Sequence, residues 1–274
     1  MTKREQQFVD TVWHYYRAHG RHDLPWRHTA DPYRIVVSEV MLQQTQVARV
    51  QTKYKTFLRL FPNTKRLAEA PFSQVVTAWQ GLGYNRRAQQ LQRAAQTVHT
   101  EFHGRWPRQY ETLMSLQGIG PYTAGAVMAF AYNQPAVIVE TNIRTVFLHH
   151  FWPTQTMVSD AEILAMVERT LPETTVREWY WALMDYGAYL KTVTTTRNQQ
   201  SKHYRPQSPF KGSRREVRGA VVRLLSQHAA LNEADVHKYL ANFSHEMLQS
   251  VMQALLQEEL IVFDAATDTY RLPH

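Results

Sequence analysis

The 274-residue chain contains no cysteine. That absence excludes disulfides, zinc sites built on thiolates and an iron–sulfur cluster held by cysteine. Thirteen histidines are present, but they are scattered, His149–His150 and His203 included, in no recognisable ligand spacing, so no metal site is expected. The sequence also lacks an apolar run of membrane-spanning length, and its start lacks the apolar core of a signal peptide. The expectation is a soluble, cytoplasmic protein with no membrane partner. Acidic residues are in deficit. There are 23 Asp and Glu against 31 Lys and Arg, a net charge of +8, which points to a polyanionic partner. The deficit is uneven: residues 228–274 hold seven acids against Lys238 and Arg271, a net of −5, which leaves +13 on residues 1–227.

The apolar fraction of 44% is ample for a packed core, and the length suits one large domain or two modest ones. Apolar spacing at Phe8, Val12, Tyr15 and Tyr16 predicts a first helix over 4–18. Further helices fit 33–46, 47–61, 64–70, 72–79, 84–101, 108–116, 121–132, 142–151, 159–170 and 175–191, with prolines 62, 71 and 107 marking boundaries. Many short helices joined by short loops make a mainly α domain over 1–191. Residues 192–212 are polar and basic and read as an arm or linker. Residues 213–274 read as three helices (214–227, 233–241, 245–258) followed by a strand–turn–strand, a small winged-helix-like module. Its third helix has no Lys or Arg between 245 and 258 and carries Glu246 and Glu258. A DNA-reading helix normally has the opposite sign, so a packing role is favoured.

Three stretches carry chemistry. In Ser38–Val47, Glu39 stands among Ile35, Val36, Val37, Val40, Met41 and Leu42. An acid there is costly unless it has a task, and such surroundings raise its pKa toward neutrality. Gln43, Gln44 and Thr45 follow one turn on, on the same expected helix, with amides and a hydroxyl suited to base edges. Gln80–Arg87 is a Gly turn running into a helix, with Leu82 and Tyr84 at its tip and Arg86 and Arg87 behind; a tyrosine there can wedge between bases and arginines can hold phosphates. The third is Leu116–Ala124, where Gly118, Ile119 and Gly120 form a tight turn and Pro121 opens a helix whose N–H groups suit a phosphate. Glu140 and Asn142 follow about twenty residues on, where an acid can reach the sugar of a nucleotide held at that turn.

These stretches, with Leu24–Arg27, occur in the order and spacing of the MutY-type adenine DNA glycosylases of the helix-hairpin-helix superfamily, which residues 5–190 resemble. The resemblance implies a helix-hairpin-helix glycosylase fold. It also implies a monomeric base excision repair enzyme that acts on double-stranded DNA and releases adenine mispaired with 8-oxoguanine or guanine. On that resemblance Glu39 matches the general acid, Glu140 the stabilising carboxylate and Asn142 an orienting amide. Tyr122 stands where relatives with lyase activity have Lys, so base removal without strand cleavage is expected. Arg27, Gln43, Gln44, Thr45, Leu82, Tyr84, Arg86, Gly118, Ile119 and Gly120 match DNA-binding positions, and hairpin carbonyls of relatives also hold a monovalent cation. Four departures stand out. The family has Asp where this chain has Glu140, it usually holds an iron–sulfur cluster near residues 192–210, and most members carry a larger Nudix-like C-terminal domain. Trp181 lies where an amide or acid often faces the adenine. Two alternatives are a thymine or uracil glycosylase acting on guanine mismatches and a DNA-binding protein with impaired catalysis.

Overall fold

A computed structural model describes residues 1–194, 200–202 and 209–273. The remaining residues, including the polar run 195–199, His203, Arg205 and Pro206 of the expected arm, lie outside the described residues. Helix dominates, and the expected helical segments are all found, mostly with their ends trimmed by one to four residues. The chain divides into two compact units. One comprises Met1–Glu39, Pro107–Ser115 and Ile119–Pro206; the other comprises Val40–Trp106, Leu116–Gly118 and Gln207–His274.

The first unit contains α1 (Lys3–His19), a 3-10 turn (Pro25–His28) and the start of α2 (Pro32–Leu42). It continues with α7 (Tyr110–Met114), α8 (Pro121–Phe130), α9 (Thr141–Phe151), α10 (Asp160–Thr170) and α11 (Val176–Val193). Its core is aromatic where α1, α9 and α11 meet: Phe8 packs against Phe147 at 5.1 Å between ring centroids and edge-on to Trp179 at 5.9 Å. Gly187 permits a close approach in this packing. A Cβ at Gly187 would sit 2.3 Å from the Asn142 carbonyl oxygen, so glycine lets α11 lie directly on the first turn of α9. One turn further along α11 is Lys191.

The buried ion pair of this unit joins the 3-10 turn to α11. Arg27 donates from both terminal nitrogens to the two oxygens of Asp185 at 2.8 Å each, and Arg21 adds its backbone N–H at 2.8 Å and its Nε at 2.6 Å. Burial opposes the Asp185 charge, but the bonds and charges of Arg27 and Arg21 outweigh it and hold the carboxyl below the usual carboxylate range. The bidentate geometry suits a guanidinium and would be lost with Lys.

The second unit holds α3 (Val47–Leu60), α4 (Thr64–Ala68), α5 (Phe72–Trp79) and α6 (Arg86–Glu101). Its C-terminal part contributes α12 (Arg214–Gln227), α13 (Glu233–Tyr239), α14 (His245–Gln257) and the strands β1 (Val262–Asp264) and β2 (Thr269–Arg271). Ser213, Asn232 and Ser244 cap the last three helices through their side-chain oxygens. The strands pair antiparallel with Phe263 opposite Tyr270, and Leu231 adds a bridge by exchanging two backbone bonds with Tyr270 at 3.0 and 2.8 Å. Three helices and a β-ribbon are the winged-helix-like pattern. Acids of this part are taken up in packing: Glu258 pairs bidentately with Arg218 at 2.9 and 2.6 Å, and Glu259 pairs with Arg93.

Helix α2 ends at Leu42, four residues earlier than its pattern predicts. The residue that ends it is Arg87, the second residue of α6. Its buried guanidinium donates to the carbonyls of Val40 (2.6 Å), Met41 (3.3 Å) and Gln43 (2.8 Å), and to those of Leu82 and Gly83 (3.1 Å each). The last carbonyls of a helix lack intrahelical partners, and a cation there is favoured by the helix dipole. Burial lowers the Arg87 pKa to about 10, against a smaller opposing effect of Tyr84, so it stays charged. Gln43, Gln44 and Thr45 therefore lie in a turn and not on the helix, and Gln44 takes the left-handed φ of 53°.

Candidate active site

Four residues named from sequence come together in the first unit. Glu39, on the last turn but one of α2, is 6% exposed among Ile35, Val36, Val40 and Met41. Tyr122, the second residue of α8, donates its hydroxyl to Glu39 Oε2 at 3.0 Å. Burial raises the Glu39 pKa to about 7; the Tyr122 hydrogen bond and Arg27 oppose the rise, while the charge of Glu140 adds to it. Tyr122 is itself pushed well above its ordinary value, first by burial and then by the charges of Glu39 and Glu140. It remains a donor. The pair is an acid held ready to give a proton near neutral pH.

Glu140 is the N-cap of α9. Its Oε1 accepts from the backbone N–H groups of Asn142 (2.7 Å) and Ile143 (2.8 Å), and its Oε2 from Thr141 Oγ1 and Asn142 Nδ2, each at 3.1 Å. Glu is outside the usual N-cap set of Ser, Thr, Asp and Asn; its longer side chain folds back over the first turn. Asn142 then accepts from Lys191 Nζ at 2.7 Å through Oδ1. Burial lowers the Lys191 pKa, with Glu140 opposing and Arg144 adding to the fall. The result is a chain of donors, Lys191 to Asn142 to Glu140, that fixes the carboxylate at the positive end of a helix.

Sequence reasoning passed over Lys191 and Asp185. The only trace of Lys191 in sequence is a lone cation at the end of an apolar helix, and nothing local ties it to Asn142, 49 positions away. Trp181, half-buried on α11, has the Arg27 guanidinium 5.4 Å from its ring centroid and Phe130 stacked at 6.4 Å.

The expected DNA-binding residues divide. Gln44, Tyr84 and Arg86 are exposed, and Gln43 and Thr45 half-buried, in the second unit. Thr45 is drawn into the turn, its hydroxyl donating to the Gln43 carbonyl at 3.2 Å. Arg27 is a correction: its side chain is 4% exposed and spent on Asp185, so its charge is withheld from a phosphate. Leu82 and Ile119 are each 4% exposed, their side chains packed in apolar surroundings. Arg87, expected to hold phosphates, is spent on carbonyls. Gly118 has a φ of +75°, and a Cβ there would lie 2.5 Å from the Gln90 Cβ, so glycine is required. Gly120 is different. Its φ of −87° is ordinary for any residue, and it serves as N-cap of α8 with open space where a Cβ would stand.

A family model described as HhH-GPD superfamily base excision DNA repair protein matches residues 37–171, a span that contains Glu39, the hairpin, Tyr122 and Glu140–Asn142. The chain belongs to the HhH-GPD superfamily. Among its relatives is the adenine DNA glycosylase of Mycolicibacterium smegmatis, 39% identical over 182 residues, 66% of this chain and 61% of that protein. The adenine DNA glycosylase of Buchnera aphidicola subsp. Baizongia pistaciae is 33% identical over 187 residues, 67% of this chain and 52% of that one. The chain thus spans between about half and three fifths of these two curated relatives. Among solved structures, a thermostable thymine-DNA glycosylase superposes with a TM-score of 0.62 at 27% identity, covering 72% of this chain and 92% of that one. The helix-hairpin-helix fold expected from the sequence is the fold found.

Proposed function

We propose that this chain is an adenine DNA glycosylase that releases adenine mispaired with 8-oxoguanine or guanine and leaves the strand uncut. The observation that carries the reading is the Glu39–Tyr122 pair, a buried acid with a pKa of about 7, beside the fixed carboxylate of Glu140. Adenine is a poor leaving group until N7 is protonated. Glu39 donates that proton, and the C1′–N9 bond breaks with its electron pair leaving on the base. The positive charge that develops on the deoxyribose is stabilised by the Glu140 carboxylate. Water adds to C1′ and loses a proton, giving an abasic site. Tyr122 has no amine, so no Schiff base forms from that position. No cluster takes part in this reading, because the chain supplies no thiolate.

DNA is the partner this chemistry requires, as a duplex from which one nucleotide is turned out. A second reading is favoured by one relative, the thymine/uracil-DNA glycosylase of Methanothermobacter thermautotrophicus, 29% identical over 191 residues and 86% of that protein's length. A single-turnover assay separates the two. Duplexes carrying adenine opposite 8-oxoguanine, guanine or thymine, and thymine or uracil opposite guanine, are incubated with the protein and then cleaved with alkali. Alkali-dependent cutting of the first two alone is the expected result. Cutting of the guanine mismatches instead would establish the second reading, and cutting without alkali would overturn the absence of lyase activity.

A further inference from the structure

Away from the active site, in the C-terminal part of the second unit, two histidines and an acid come together. Among the described residues, this is the one group with the donors and spacing for a metal ion: Glu233, His237 and His245, with one ligand atom from each within 4.8 Å of the others. Glu233 and His237 are four apart on α13 and so share one helix face. His245 belongs to the next helix, which is why linear spacing carries no sign of the group. The turn after α13 brings it back. The Phe243 N–H donates to the Leu240 carbonyl at 3.0 Å, and Ser244 caps α14 so that His245 is its first residue. The His237 and His245 rings then stack with centroids 4.2 Å apart.

Two observations separate this group from an ordinary surface pair. His237 Nε2 is buried and has no hydrogen-bond partner among the described residues. Glu233 Oε1 faces it at 3.6 Å, beyond hydrogen-bond reach. A buried polar atom normally finds a partner, and one without it asks for an explanation such as an ion. Donors held at about 2.0–2.2 Å by a tetrahedral ion stand roughly 3.3–3.6 Å from one another. The Glu233–His237 pair is already at that separation, and His245, exposed on the first turn of α14, closes the rest by a side-chain rotation. The second observation is charge. Residues 228–274 carry a net of −5, an acidity that neither adenine release nor DNA binding uses and that suits a cation.

We propose that Glu233, His237 and His245 form a zinc site that clasps α13 to the start of α14. Two imidazoles and one carboxylate are the donors of a three-ligand zinc site, with water in the fourth position. Two nitrogen donors out of three disfavour Ca²⁺ and Mg²⁺, which take oxygen. An ion held only by the folded arrangement stabilises that fold. The site goes beyond the glycosylase reading and does not depend on it.

The test titrates zinc chloride into the full 274-residue chain after treatment with EDTA, followed by calorimetry, with Mg²⁺ and Ca²⁺ for comparison. One zinc per chain with micromolar or tighter affinity is expected, together with a higher melting temperature at saturating zinc. His245→Ala should melt as wild type does in EDTA and bind zinc more weakly by about 10- to 100-fold or more, since even loss of the support behind a ligand costs that much. Glu233→Gln keeps the side chain's size and should lose the same, so the ligand effect is read apart from any change in folding. His228→Ala, outside the group, should bind zinc as wild type does. Failure to bind zinc, unchanged binding in both ligand variants, or an equal loss in His228→Ala would overturn the site. Equal affinity for Mg²⁺ or Ca²⁺ would reduce the group to an acidic patch and overturn it too. Binding without a rise in melting temperature would overturn the clasp. Adenine release enters none of these readings, so the two proposals fail separately.

Discussion

A carboxyl that must deliver a proton at neutral pH has to be kept from ionising beforehand, and burial of Glu39 does this at a cost to the fold. The unfolded chain would ionise that group near pH 4.5, whereas the folded protein holds the proton to about pH 7. The folded state thus binds the extra proton, and stability contributed by Glu39 is full below the unfolded pKa and declines as pH rises to about 7. Replacing Glu39 by Gln removes the penalty. The variant should melt higher than wild type above pH 7, by an amount on the order of 3 kcal/mol, and match it near pH 4. It should also release no adenine while retaining duplex binding; turnover by this variant would remove Glu39 from the mechanism. In the wild type, the single-turnover rate should fall as pH rises through about 7, when the acid is lost. Glu140→Gln separates charge from capping. The amide oxygen can still accept from the Asn142 and Ile143 N–H groups, but the amide nitrogen cannot accept from Thr141 Oγ1 and Asn142 Nδ2 as Oε2 does, so stability should drop by about 1–2 kcal/mol, while the rate should fall about a hundredfold or more as the anion is lost. A large drop in melting with an unchanged rate would make Glu140 a cap alone.

At the scale of elements, the site depends on where helices stop and how closely they approach. Arg87 ends α2 by collecting its last carbonyls, and that stop sets Gln43–Thr45 in a turn. Arg87→Met keeps much of the buried volume but strips five carbonyls of a charged donor. We expect a loss of about 3 kcal/mol, read from urea denaturation. A loss within error would mean that water replaces the guanidinium. Gly187→Ala probes the other contact. The added methyl meets the Asn142 carbonyl, α11 shifts from the start of α9, and Lys191 moves with it. Stability should drop by about 1–3 kcal/mol. The rate should fall with it at temperatures where the variant is fully folded. Wild-type kinetics in the folded variant would separate Lys191 from the chemistry.

For the molecule as a whole, the charge is polarised along the chain, +13 before residue 228 and −5 after it. Glu258 and Glu259 are partly neutralised by Arg218 and Arg93, so the acidity of the C-terminal part does not oppose DNA as fully as its sequence suggests. Duplex affinity should fall steeply with salt, at least tenfold between 50 and 200 mM for even a few phosphate contacts, as roughly expected from counterion release. A flat salt dependence measured by fluorescence anisotropy would mean that the basic residues serve the fold instead. Among the described residues, no helix is long and apolar enough to cross a membrane.

Composition and pattern were enough for the helices, for the strand–turn–strand, for Asn232 and Ser244 as caps of the last two helices, and for naming Glu39, Tyr122, Glu140 and Asn142 as one group. Those features are written locally: apolar spacing, a capping residue, a glycine before a helix, an acid in an apolar run. Tertiary structure alone decided which cations were spent inside. Arg27 looks like a surface cation until Asp185 is brought beside it from 158 positions away, and Arg87 looks like a phosphate ligand until α2 ends against it. It also decided that Lys191 supports Asn142 and that Arg215 stands beside Tyr84, 131 positions earlier. Periodicity reports which face of a helix is apolar, but a partner distant in sequence leaves no local mark. Charge pairing, desolvation and cavities are therefore settled only when the chain closes on itself.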